Sequence, residues 1–205
     1  MRKASKKCIE MIKQLEGFVG HAYKCLPSED YYTIGYGHYG ITDANMVVTR
    51  EEAEELLNED LEVVYKGLSV CDNYYLFTDN EYDALVSFCF NLGVGTISQL
   101  TDRYTRSKGQ IANAIPYYNH DGAGNVVAGL TTRREAEYTL FTSGVYPDGT
   151  KCDEISDNNY DITEDTTLGE IVDMTLSGRF GDDEDRKNNW YEAIQKLVNK
   201  RYGIE

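Results

Sequence analysis

The sequence predicts a mainly helical α+β domain over residues 1–145 with a small β-hairpin lobe. An acidic linker over 146–166 and a small three-helix module over 167–205 follow it. Three observations carry this reading. Thr49-Arg50-Glu51-Glu52 and Thr78-Asp79-Asn80-Glu81 are T-x-x-E capping boxes, each opening a run with helical character. Thr33-Ile34-Gly35-Tyr36-Gly37-His38 alternates like a strand within a stretch rich in Gly and Tyr. From Thr142 to Thr167 the composition turns acidic and polar, and a helical pattern returns only beyond it.

Taken in order, residues 3–16 predict an amphipathic helix with Ile9, Ile12 and Leu15 at helical spacing and Gly17 placed to end it. Residues 22–48 predict a hairpin and loops. Tyr31 to Ile34 has β propensity, and Gly35, Gly37 and Gly40 permit tight turns. The first capping box opens a helix through about Tyr65. The second opens an apolar helix, Tyr82 to Asn91, stopped by Leu92-Gly93-Val94-Gly95. Residues 97–119 read as helical but weakly patterned. His120 to Gly129 reads as a loop, and Leu130 to Phe141 as a helix ending near Gly144. Beyond the linker, Leu168, Ile171, Val172 and Leu176, then Trp190, Ile194, Leu197 and Val198, restore the helical pattern.

The net charge of −15 argues against a nucleic-acid partner, because such proteins neutralise phosphate with basic patches. An anionic polymer would have to be held by specific contacts, not by the overall field. No run approaches the roughly 20 apolar residues of a membrane span. The basic N-terminus lacks an apolar core, so synthesis in a cytoplasm without a signal peptide is expected. Five Cys with no C-x-x-C spacing read as reduced thiols, and three His show no metal-ligand pattern. No metal or cofactor is expected, and the chain is expected to be a monomer. The 17 Tyr suit sugar stacking, although surface and core tyrosines are the plainer explanation.

Several residues are candidates for chemistry. Glu16 stands at a predicted helix end beside Gly17. A carboxyl in a partly apolar cleft can act as a general acid, yet alone this Glu also reads as solvated. Cys25 follows Lys24 in a loop. A thiol beside a Lys can be a thiolate nucleophile or base, or simply a half-buried loop residue. Thr33 and Tyr32 fit a strand, and a Thr hydroxyl facing a cleft can hold a water. Arg133-Arg134-Glu135 can decorate a solvated helix, Asn91 can be a helix cap, and His38 reads as a loop anchor without a catalytic role.

In combination these stretches resemble a known family. Glu16-Gly17, Ala22-Tyr23-Lys24-Cys25 and Thr33 to His38 are similar to the phage-type lysozymes, the endolysin muramidases. Asp83 to Gly93 resembles the family's central helix. Gly129-Leu130-Thr131-Thr132-Arg133-Arg134-Glu135-Ala136-Glu137 resembles its closing G-L-x-x-R-R-x-x-E helix. The resemblance covers about residues 5–145 and implies a mainly α, lysozyme-like fold with a small β lobe. It implies cleavage of the β-1,4 bond between N-acetylmuramic acid and N-acetylglucosamine in peptidoglycan. Glu16 matches the general acid and Thr33 the hydroxyl that positions water. Arg133 is expected beside Glu16, and Tyr32, Asn91 and Arg133 are expected substrate contacts.

Two departures stand out. Cys25 occupies a position where the family commonly has Asp, so a two-carboxylate glycosidase is incomplete. The spacing from Cys25 to Thr33 is also two residues longer than the family pattern, which brings Glu29 and Asp30 close as alternative second groups. The tail segments Thr167 to Val172 and Ser177 to Lys187 resemble one CW-seven-type cell-wall-binding repeat, with Phe180 and Arg186 as glycan contacts. An acidic helical tail packed on the catalytic domain is the alternative. The expected partners are peptidoglycan glycan strands and a separate membrane-permeabilising holin. Two other readings stand beside the hydrolase: a glycan-binding protein that has lost catalysis, and a lytic transglycosylase using Glu16 alone.

Overall fold

The computed structural model describes residues 1–152. The tail module over 167–205, with Phe180 and Arg186, and most of the linker over 146–166 lie outside the described residues. The described chain is mainly helical with one three-stranded antiparallel sheet. Its elements are α1 (Lys6–Glu16), β1 (Val19–Tyr23), β2 (Tyr32–Gly35), β3 (His38–Ile41), α2 (Arg50–Tyr75), α3 (Asp79–Leu92), α4 (Ile97–Leu100), α5 (Lys108–Ala114) and α6 (Ala128–Ser143). Short 3-10 turns cover Val94–Thr96 and Ile115–Tyr117. Among the described residues no helix is long and apolar enough to cross a membrane.

The helix starts follow local chemistry. The Thr49 hydroxyl accepts from Glu52 N–H, and the Glu52 carboxylate accepts from Thr49 N–H at 2.8 Å. Thr78 N–H donates to Glu81 at 2.8 Å in the same way. The first helix begins at Lys6, not residue 3, because Ser5 caps it by accepting from Cys8 N–H at 3.0 Å. A further box, Ser107 with Gln110, opens α5 within the stretch where sequence patterning was weak.

The α3 helix is the centre of the core and packs against α6, α2 and α1. Its Ala84, Leu85, Val86 and Phe88 are fully buried. Each buried Leu or Phe contributes roughly 1.5–3 kcal/mol relative to exposure. The α2 helix runs well past the expected Tyr65, because its buried stripe continues through Leu68 and Cys71. Gly67 does not interrupt it; Val94 packs where a side chain would stand. A Cβ at Gly67 would lie 2.6 Å from Val94 Cβ. Gly67→Ala should therefore lower stability by about 1–3 kcal/mol through overpacking, despite a helix-propensity gain of about 1 kcal/mol. Thermal unfolding would check the sign, which propensity alone makes favourable.

Residues 97–119 are not one helix. Asp102, Arg103 and Tyr104 take φ of 46°, 53° and 69°, left-handed values that break it. Arg106 braces the reversal by donating to the carbonyl of Leu100 at 2.7 Å. The expected hairpin is a three-stranded sheet in the order β1-β2-β3, with Tyr23 opposite Thr33 and Thr33 opposite Tyr39. The α2 helix packs against both β2 and β3, so one long helix joins the sheet to the helical body.

After α6, Gly144 adopts φ 66° and the chain turns back, with Val145 bridged to Lys151. Tyr146, the first residue of the acidic stretch, is buried, and its hydroxyl donates to Asp83 Oδ2 at 2.7 Å. Asp83 also accepts from Ser5 N–H at 3.0 Å and from the Ser5 hydroxyl. Burial pushes the Asp83 carboxyl above its ordinary value, against the pull of Ser5 and Tyr146. A raised folded value means the native state holds a proton that the unfolded chain has released. That stabilisation is full below the ordinary Asp value of about 4 and is lost as pH rises through the folded value. Melting curves of Asp83→Asn should accordingly lose less stability than wild type as pH rises from about 4 toward neutrality.

Candidate active site

The site forms where the end of α1 meets the sheet and the start of α6. Glu16 is the last residue of α1, and Gly17, at φ 72°, turns the chain into β1. Arg133 Nη1 donates to Glu16 Oε1 at 2.6 Å across 117 residues of sequence. The Arg133 side chain is 6% exposed and the Glu16 side chain 20%. One carboxylate oxygen is thus fixed from the protein side. The other faces the turn between β2 and β3: Oε2 lies 3.5 Å from where a Cβ on Gly37 would stand. Gly37 has φ 94°, a backbone conformation that a side chain would strain.

Arg133 is itself held. Its Nε donates to Glu137 Oε1 at 3.2 Å and its Nη2 to the Ser87 carbonyl at 3.1 Å. Glu137 is fully buried, accepts from the Ser87 hydroxyl at 2.8 Å and from Arg134 Nη2 at 3.2 Å. Arg134 Nε also lies 2.8 Å from Glu137 Oε2, an ion pair too oblique to count as a hydrogen bond. Burial pushes the Glu137 carboxyl up, opposed first by Arg134 and then by Arg133. Two arginines and two carboxylates therefore form one network with its charges matched. The reading of Arg133 as Glu16's neighbour holds geometrically; as a buried group it meets Glu16 from behind.

On the sheet side, Thr33 is 8% exposed in the middle strand and pairs with Tyr23 of β1. The Tyr23 phenol lies within electrostatic reach of Cys25, Glu16 and Glu29. Burial first, and Cys25 next, raise it above its ordinary value. Tyr23 thus stands between the Glu16 side and the Cys25 loop, a position the sequence did not single out.

Cys25 is exposed. Its N–H donates to the Glu29 carboxylate at 2.9 Å, so the longer loop folds Glu29 back onto Cys25. Lys24 does not serve the thiol in this arrangement. Its ammonium donates to the Glu29 carbonyl at 2.5 Å and lies 4.9 Å from the Tyr32 ring centroid. Asn91 sits in the last turn of α3, and its Oδ1 accepts from Arg134 at 2.8 Å. His38 lies 3.0 Å from Asp60 of α2, an anchor between β3 and the long helix.

Glu137 was missed as a member of the site although its signal was present: Arg133 and Glu137 are four residues apart in a predicted helix, the spacing at which such pairs meet. Among the described residues no group of His, Cys, Asp and Glu is arranged to hold a metal.

Known proteins are similar to this chain in sequence and fold. The endolysin of Bacillus phage PZA is 39% identical over 140 residues, 66% of this chain and 54% of that protein. That of Bacillus phage B103 is 37% identical, over 80% of this chain and 65% of that protein. The chain thus spans little more than half to about two thirds of these relatives. The endolysin of Salmonella phage P22 is matched over its whole length, at 35% identity and over 70% of this chain. Among solved structures, the muramidase domain of SpmX from Asticcacaulis excentricus superposes with a TM-score of 0.59 at 32% identity, over 70% of this chain and 99% of that one. The family model described as phage lysozyme matches residues 13–137, which take in Glu16, Cys25, Thr33 and Arg133, and the chain belongs to that family.

Proposed function

We propose that this chain is an endolysin-type muramidase that hydrolyses the β-1,4 bond between N-acetylmuramic acid and N-acetylglucosamine in bacterial peptidoglycan. The observation that carries this is Glu16: one oxygen is clamped by a buried arginine, and the other is turned toward the Gly37 bend. The names of the relatives, endolysins and a muramidase domain, support the same reading.

In this reading Glu16 gives its proton to the glycosidic oxygen as the bond to the muramic acid carbon breaks. Positive charge then builds on that sugar, and Cys25 faces it as stabiliser or base. Thr33 orients the water that adds to the sugar. Arg133 holds Glu16 in place. Tyr32 and Asn91 are sugar contacts, Asn91 through its amide N–H groups, since Arg134 occupies its oxygen. The tail, through Phe180 and Arg186, would add affinity for the wall. Synthesis in the host cytoplasm, action as a monomer and passage through a holin complete the proposal.

A second reading of the far-side group has its own observation, the Glu29 carboxylate 2.9 Å from Cys25 N. Turbidity loss of a cell-wall suspension separates the two. If Cys25 acts, Cys25→Ala abolishes clearing, Cys25→Asp retains it, and Glu29→Gln has a small effect. If Glu29 acts, the damage moves to Glu29→Gln. We expect the first pattern, with a loss of about 10²-fold or more in Cys25→Ala.

A further inference from the structure

Glu137 is fully buried within α6 and takes no part in bond breaking in the reaction proposed for Glu16. Its Oε1 accepts from the Ser87 hydroxyl at 2.8 Å, from Arg133 Nε at 3.2 Å and from Arg134 Nη2 at 3.2 Å. Its Oε2 faces Arg134 Nε at 2.8 Å. A guanidinium donates and never accepts, so both oxygens are set as acceptors, the pattern of an ionised carboxylate. The guanidinium that gives Nε to Glu137 gives Nη1 to Glu16 Oε1 at 2.6 Å. That oxygen is an acceptor too. An acid proton on Glu16 therefore belongs on Oε2, the oxygen facing the Gly37 bend.

A cation this close favours the ionised form of a carboxyl, which opposes its use as an acid. The charges around Glu16 decide how strongly. Arg133 and Arg134 of α6 both act on it, and Tyr23 of β1 faces it, with Cys25 and Glu29 beyond. Around Glu137 stand the same two arginines, Cys8 of α1 and Cys89 of α3. Burial pushes both thiols and the Tyr23 phenol up, so these groups stay neutral. With Glu16 protonated, the buried cluster is thus Arg133, Arg134 and Glu137, two cations and one anion. Without Glu137, two uncompensated cations would stand behind the acid.

We propose that Glu137 is a positioning residue that acts on Glu16 through Arg133: as the buried counter-ion of that arginine, it lets Glu16 keep its acid proton on Oε2. This rests on the muramidase reading above. Glu137→Gln removes the negative charge and keeps an acceptor, while Arg134→Met removes a positive charge from the same cluster. The test is a pH titration of the Glu16 carboxyl by carbon-13 NMR, its signal assigned by its absence in Glu16→Gln. The titration midpoint should fall by about half to one pH unit in Glu137→Gln and rise by a similar amount in Arg134→Met. An acid is active while protonated, so the alkaline limb of kcat/KM should move to lower pH in the first variant and to higher pH in the second. A merely structural role would not give shifts of opposite sign. A midpoint that stays at the wild-type value in either variant, or moves the same way in both, would overturn the proposal. If Glu137→Gln does not fold, the Arg134→Met/Glu137→Gln protein is compared with Arg134→Met. Its midpoint should then lie lower, and an equal or higher one would overturn the proposal. If wild type clears no cell walls, the muramidase reading fails, while the opposed NMR shifts still support the hold of Glu137 on the Glu16 proton.

Discussion

Glu16→Gln should reduce glycan hydrolysis by about 10²–10⁴-fold while the protein stays folded. The substitution keeps the side chain's shape, and its amide oxygen can still accept from Arg133 Nη1, now 2.6 Å from Glu16 Oε1. What it removes is the proton donor. Because Glu16 is at a helix end and partly exposed, the lost ion pair costs far less stability than the catalytic step loses in rate. Turbidity assays beside a melting curve would show both. Wild-type clearing by folded Glu16→Gln protein would remove Glu16 from its role.

The largest stability loss is expected from Arg133→Leu. Arg133 is the shared donor of Glu16, Glu137 and the Ser87 carbonyl. Removing it leaves Glu137, fully buried, with one cation for two. Breaking a buried ion pair from one side costs about 3–5 kcal/mol, a large share of a domain's stability. Arg133→Lys should recover only part of this, since one ammonium cannot reproduce a fork aimed at three acceptors. Arg133→Leu/Glu137→Leu should lose less than the sum of the single changes, because the second substitution removes the stranded charge. Urea titration of the four proteins would measure this coupling. Strict additivity would mean that Arg133 and Glu137 do not act as a unit.

The starts of α2 and α3 could be read because a capping box is local, written within four residues. The length of α2 could not, because Gly67 resembles a break until Val94 is seen filling its side-chain space. The break at Asp102 to Tyr104 was hidden for a related reason. Three non-glycine residues take left-handed backbone there, held by contacts such as Arg106 to Leu100 rather than by their own preference. In the site, Glu16 and Thr33 were found through resemblance to a family, and Arg133 through its place in the closing motif. That Arg133 meets Glu16 across 117 residues follows only from the packing of α6 against α3 and α1's position beside it. Tyr23 and Tyr39 lie in the stretch that reads as a hairpin and loops. Their alignment with Thr33 depends on register, and register shifts in both strand pairs conceal it from simple alternation.

In the proposed reaction Glu16 works with a second group to add water across the glycosidic bond. Mass spectrometry of purified peptidoglycan after complete digestion tests it most directly. The expected products are disaccharides with reducing N-acetylmuramic acid ends, heavier by one water than the cyclised alternative. Products ending in 1,6-anhydro-N-acetylmuramic acid would contradict it, since those form when Glu16 acts alone and no water is added.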